Sequence, residues 1–148
     1  METMPNTRAP EAQFVYLAEV DIAERRSLGS SALGERFIVD ILGGRFEGPG
    51  LRGRVLPGGA DRQLLRPDGV KELRAVYEMQ TDDGAVLTVD NRVVVDESVQ
   101  PERYARSTLR IHAPAGAHDW LNRRVFVGTL ASLKPQRSAV AIRVYVLN

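Results

Sequence analysis

From Gln13 to Leu147 the chain runs in short stretches where apolar and polar residues alternate with a period of two, and turn residues end each stretch. A strand sends successive side chains to opposite faces, so each stretch gains one apolar face. Helical periodicity is nearly absent. About ten strands with no amphipathic helix to cover a sheet would leave exposed edges, and closure removes them. The pattern therefore predicts an all-β fold: a single antiparallel β-barrel of roughly eight to ten strands with short helical turns.

The first predicted strand is Phe14 to Val20, with Phe14, Tyr16, Ala18 and Val20 on one face. A polar segment, Asp21 to Gly34, crosses to Arg36 to Ile41. Gly43-Gly44 and Gly48-Pro49-Gly50 bracket a short piece around Arg45 and Phe46 and predict a sharp turn or bulge. Strands Leu51 to Leu56 and Asp61 to Leu65 follow, separated by Pro57-Gly58-Gly59. Val70 to Gln80, with Leu73, Ala75, Tyr77 and Met79 on one face, is the longest predicted strand. It enters Ala85 to Val95 through the hairpin turn Asp82-Asp83-Gly84. Ser98 to Tyr104 and His118 to Asn122 predict single helical turns. Strands Arg106 to Ala113, Val125 to Leu133 and Ala139 to Leu147 complete the set.

At 148 residues the chain fits one domain, read as a flexible N-terminal tail over residues 1–12 and a barrel over residues 13–148. Lys+Arg total 20 against Asp+Glu 19, with the signs interleaved, so no broad basic footprint for nucleic acid exists. Lys71 and Lys134 are the only lysines, a bias read as genome composition. Cysteine is absent, which removes disulfides, thiolate nucleophiles and zinc–thiolate sites, and the two histidines are too few for a three-histidine metal centre. No metal and no cofactor is expected. Residues 1–11 lack the apolar run of a secretory signal, and no window reaches the length of a membrane span. The expected setting is cytoplasmic, without membrane association.

Gly43-Gly44, Gly48-Pro49, Pro57-Gly58-Gly59-Ala60-Asp61, Asp68-Gly69, Tyr77, Asp83-Gly84, Asn91 and Trp120-Leu121-Asn122 follow one another in an order that resembles the domain-of-unknown-function 3237 family of small microbial proteins. The resemblance spans nearly the whole domain. It implies a compact β-barrel with a polar-lined interior pocket, in a family without a general assigned activity. Three positions depart from the family pattern: Arg62 stands where a Trp is usual, Glu35-Arg36 replaces an Arg-Arg pair, and His112 replaces an acidic residue.

Among residues able to carry chemistry, His112 and Asp61 are the expected proton-moving groups; His112 is either a general acid or base near neutral pH or a structural histidine, pointing away from the core if Leu109 and Ile111 fill it unless the pocket occupies that side. Asp61 either caps the amides of the preceding turn or takes a proton at a barrel mouth. Asp40 and Asp90 are weaker candidates. Tyr77 on an apolar face places its ring inside, where the hydroxyl needs a partner. Asn91 either binds a carbonyl or enolate oxygen or forms a turn. Arg36 and Arg106 either recognise a carboxylate from within or face water. Trp120 either covers a ligand or plugs a barrel end.

No nucleophile elbow, phosphate loop, dinucleotide fingerprint or His-Glu-x-x-His motif is present. The leading expectation is a cofactor-independent enzyme moving protons on a small oxygenated or aromatic, polyketide-like molecule inside the barrel: an isomerase, cyclase, lyase or hydrolase. The alternative is a non-catalytic carrier or sensor of a small organic ligand. The final strand, apolar on one face with Ala141 and Tyr145 on the other, predicts a homodimer.

Overall fold

The computed structural model describes residue 5 and residues 7–148. Ten strands carry the fold: β1 (Ala12–Ile22), β2 (Arg26–Ser31), β3 (Gly34–Gly48), β4 (Leu51–Val55), β5 (Ala60–Leu65), β6 (Lys71–Thr81), β7 (Val86–Asp96), β8 (Tyr104–His112), β9 (Phe126–Ser132) and β10 (Ala139–Leu147). The only helical segment among the described residues is a 3-10 turn, Asp119–Arg123. Every pairing is antiparallel. β1 pairs with β10 on one side and β3 on the other, and the path β10-β9-β8-β7-β6 returns through β4 and β5 to β3. β4 and β5 share one position between β3 and β6, and β2 lies outside on β3, which leaves a closed barrel of eight strand positions.

β3 makes closure possible. Residues Glu35–Asp40 pair with β5, while Gly44–Gly48 pair with β4 on one side and face β1 on the other. Between these halves Leu42 is an extra residue, because Asp21 opposes Gly43 while Ile22 opposes Ile41. The expected disturbance at the glycine pair is thus a bulge inside one long strand, which bends without ending. Two segments differ from the sequence reading. Arg26–Ser31 forms β2 within the segment read as a polar crossing, because exposed serines can still pair through backbone groups. Residues 98–103 form turns and bends, with no helical turn. The predicted tail, residues 1–12, falls partly outside the described residues. Its last two residues are fastened, Ala12 in β1 and Glu11 by two backbone hydrogen bonds of 3.0 and 2.9 Å to Asn148.

One end of the barrel is packed shut. Tyr16, Phe46, Met79, Leu87 and Phe126 are at most 2% exposed, and the 3-10 turn presses Leu121 into them. Asn122 anchors that turn by bonding both backbone groups of Ala113, at 2.8 and 2.9 Å. His118 reaches the Asp83 carboxylate at 3.0 Å, which ties the turn to the β6–β7 hairpin. No helix among the described residues is long and apolar enough to cross a membrane.

A Cβ at Gly44, where φ is +138°, would lie 2.1 Å from the Glu19 carbonyl oxygen across the β1–β3 seam. Both the conformation and the close approach require glycine. Gly44→Ala is expected to lower stability by roughly 2–4 kcal/mol in denaturant unfolding, because a backbone group has to move. A loss below about 0.5 kcal/mol, the size of a neutral surface change, would contradict the closure described.

Candidate functional site

The opposite half of the barrel is hollow. A cavity of about 310 Å³ opens between the β1–β2, β7–β8 and β9–β10 connections. That volume lies at the lower end of the range of about 300–1,000 Å³ for small-molecule pockets. Its wall is aliphatic, with Val20, Val39, Ile41, Leu73, Val93 and Ile142 among its residues, and its innermost polar groups come from three adjacent strands.

Strand register sets those groups in a row. Asp61 on β5 opposes Val39 on one side and Ala75 on the other, and Ala75 in turn opposes Asn91 on β7. Asp61 and Asn91 are thus two strand spacings apart, about 9.5 Å at the backbone, across a side chain too small to separate them. Tyr77, two residues along β6 from Ala75, points to the same face. The excursion Pro57-Gly58-Gly59 between β4 and β5 delivers Asp61 here, and Gly59 makes room for the tyrosine: a Cβ there would sit 2.5 Å from Tyr77 Cβ.

The electrostatics follow from burial. Asp61 is partly buried, and its hydrogen-bond donor among the described residues is Gln63 Nε2 at 2.8 Å. Withdrawal from water raises its carboxyl from the ordinary 3.8 to about 6, with the Gln63 bond opposing the rise. Tyr77 and Asn91 are each 1% exposed, and neither Tyr77 Oη nor Asn91 Oδ1 has a hydrogen-bond partner among the described residues. Burial, and secondarily the Asp61 charge, push the Tyr77 hydroxyl far above its usual value, so it stays protonated and able to donate. Tyr16, also buried with an unpartnered hydroxyl, lies behind the cavity and is pushed up by burial and by Tyr77.

Of the residues singled out from the sequence, the cavity brings together Asp61, Tyr77 and Asn91. It excludes the others. His112 and Arg106 are exposed on the outer wall because Ala105, Ser107, Leu109 and Ile111 fill the inward positions of β8. Arg36 is exposed for the same reason, with Phe37 and Val39 turned inward, and Arg106 bonds the Ala105 carbonyl at 3.0 Å. Trp120 packs at the closed end with its ring centre 6.1 Å from that of Phe126, away from the cavity lining. Asp40 and Asp90 face arginines outside, Arg26 at 3.4 Å and Arg74 at 3.0 Å. Asp61 does not cap its turn, since its bond goes to Gln63. Gln63 was missed, although its position two residues after Asp61 places it on the same face. No group of three His, Cys, Asp or Glu side chains suited to a metal ion occurs among the described residues.

The comparisons agree with this architecture. The profile of a family described as "Protein of unknown function (DUF3237)" matches residues 10–147. A UPF0311 protein of Rhodopseudomonas palustris is 35% identical over 134 residues, covering 82% of this chain and 88% of its own length. A crystal structure of a conserved protein of unknown function from Rhodopseudomonas palustris superposes with a TM-score of 0.87 at 34% identity, covering 96% of this chain and 100% of the other. A β-barrel-like protein from Acinetobacter baumannii gives 0.89 at 29%, covering 98% and 100%. A crystal structure described as an enzyme from Penicillium herquei gives 0.79 at 20% identity over 100% of both chains, a likeness of fold alone.

Because the folded carboxyl of Asp61 holds its proton up to about pH 6 and the unfolded one only to about 3.8, the native state binds more protons between those values and loses stability as pH rises through them. Above pH 6 the ionised group costs up to roughly 3 kcal/mol. Asp61→Asn is therefore expected to raise the melting temperature at pH 7.5 and to leave it nearly unchanged at pH 3.5. Equal effects at both pH values would contradict the desolvated carboxyl.

Proposed function

This chain belongs to the DUF3237 family of proteins of unknown function, and we propose that its cavity is the site of a cofactor-independent proton-transfer enzyme acting on a small oxygenated or aromatic molecule. The observation that supports this most is the sharing of one pocket by a carboxyl poised near pH 6 and two buried polar groups without partners. A base works best when its pKa lies near the working pH, and buried unpaired hydrogen-bonding groups are costly unless something binds them.

In this reading the Asp61 carboxylate removes a hydrogen from the carbon beside a substrate carbonyl. The C–H electron pair forms a C=C bond, and the carbonyl oxygen becomes an enolate oxygen. Tyr77 Oη–H donates to that oxygen where charge develops, and Asn91 Oδ1 accepts from a hydroxyl of the substrate. In a substrate with a C=C bond β,γ to the carbonyl the enolate charge extends to the γ-carbon, and isomerisation is completed when the protonated Asp61 returns its proton there. Cyclisation is completed when the enolate carbon bonds to a second carbonyl carbon of the same molecule, whose oxygen takes the proton. Tyr77 serves as donor only, since burial keeps it protonated.

A carrier or sensor is the second reading, favoured by the mostly aliphatic wall. Association into a homodimer is proposed separately. Both edges of β10 are already paired, so a second copy would meet only its outer face, where Tyr145 stacks edge-on against Phe14 with ring centres 6.0 Å apart.

The test uses exchange of the α-hydrogens of 1-tetralone in D2O, followed by proton NMR. The protein is expected to accelerate exchange, with a rate that rises with pH through about 6 as Asp61 ionises. Asp61→Asn should lower the acceleration by about 10²–10⁴-fold and Tyr77→Phe by about 10²–10³-fold. Saturable binding of the ketone without exchange would favour the carrier. For the dimer, light scattering should give twice the mass of one chain, and a single-chain mass across a wide concentration range would remove that proposal.

A further inference from the structure

The mouth of the cavity carries four cations from four separate segments: Arg25 after β1, Lys71 at the start of β6, Arg103 before β8 and Lys134 after β9. Both lysines of the chain are among them. Glu97 is the carboxylate that answers this group, and it is shared, at 3.0 Å from Lys71 and 3.5 Å from Arg103. Arg25 and Lys134 have no carboxylate partner among the described residues. The Arg25 guanidinium carbon lies 4.1 Å from the centre of the Phe37 ring, which holds its fork at the rim.

Beneath these charges comes an apolar collar that includes Leu73, Val93, Val95 and Leu130, and beyond it the row of Asp61, Tyr77 and Asn91. The order from solvent inward is therefore cationic, apolar, then hydrogen-bonding. An anion taken to the inner row would meet the Asp61 carboxylate, whereas one held at the mouth would meet unanswered positive charge. We propose that the cavity takes organic acids of one orientation, with a carboxylate held at the mouth by Arg25 and Lys134, an apolar body within the collar, and an oxygen-bearing end at Tyr77 and Asn91. This rests on the interior site proposed above and names its substrate class. It also gives a use for Lys134, which lies far in sequence from every other polar residue of the cavity but Ser132.

The test compares 2-naphthoate with 2-naphthamide, nearly identical in shape and different in charge, by calorimetry at pH 7.5 and low salt. Naphthoate is expected to bind roughly tenfold more tightly than the amide, the scale of one charge-assisted contact. The preference should shrink in high salt and vanish in the double variant Arg25→Gln/Lys134→Gln, through a loss of naphthoate affinity larger than any loss for the amide. Equal binding of the two compounds, or a preference that survives in the double variant, would overturn the inference. Ala75→Met, which fills the space between Asp61 and Asn91, should weaken both compounds, with its melting curve reporting on folding. Failure of both compounds to bind while 1-tetralone exchange persists would overturn the acid class and leave the interior site standing. Loss of both would overturn the two together.

Discussion

The barrel closes at the seam between β1 and β3, where backbone meets backbone with no room for a side chain. A Cβ at Gly48 would lie 1.8 Å from the Val15 carbonyl oxygen, and one at Gly44 would lie 2.1 Å from that of Glu19. The same strand bends at the extra Leu42, so its first half faces β5 and its second half faces β4. That change of partner creates the gap between β4 and β5, and the gap delivers Asp61 to the interior. The cavity is thus a consequence of how the sheet closes.

Inside, the polar row is costly to bury. Each buried group without a partner costs about 1–3 kcal/mol, and ionised Asp61 adds a cost of similar size. Together these are of the order of half the stability of a typical domain, about 5–15 kcal/mol. The all-aliphatic alternative is available next door, where Leu73 and Val93 occupy equivalent inward positions on the same strands. Tyr16 Oη and Ser107 Oγ are buried without partners as well, so what sets this row apart is its place on the wall of the cavity.

Much of this was legible in the sequence because strand alternation is a local property. The alternation of β6 placed Tyr77 inside with Leu73, Ala75 and Met79, and the Asp-Asp-Gly turn fixed the β6–β7 register that sets Asn91 opposite Ala75. The same rule tied His112 to the face opposite Leu109 and Ile111 but could not say which face held the pocket, so His112 stood as a catalytic candidate until the fold turned it outward. The rule could not show which segments meet at one mouth, because Arg25, Lys71, Arg103 and Lys134 are brought together only by closure. Nor could it show that Asp61 loses its water, since desolvation depends on strands remote in sequence. β2 was hidden for a different reason: its exposed Arg-Ser-Leu-Gly-Ser-Ser stretch pairs by backbone alone and carries no apolar face.

The cavity holds a single carboxyl out of water among unpaired hydrogen-bonding groups. Titration of the Asp61 side-chain carbon by carbon-13 NMR in the intact protein tests it directly. The expected midpoint for that residue is about 6, with the outward-facing carboxylates Asp68, Asp83 and Asp90 titrating below the ordinary aspartate value. A midpoint for Asp61 near the ordinary value of about 4 would contradict it.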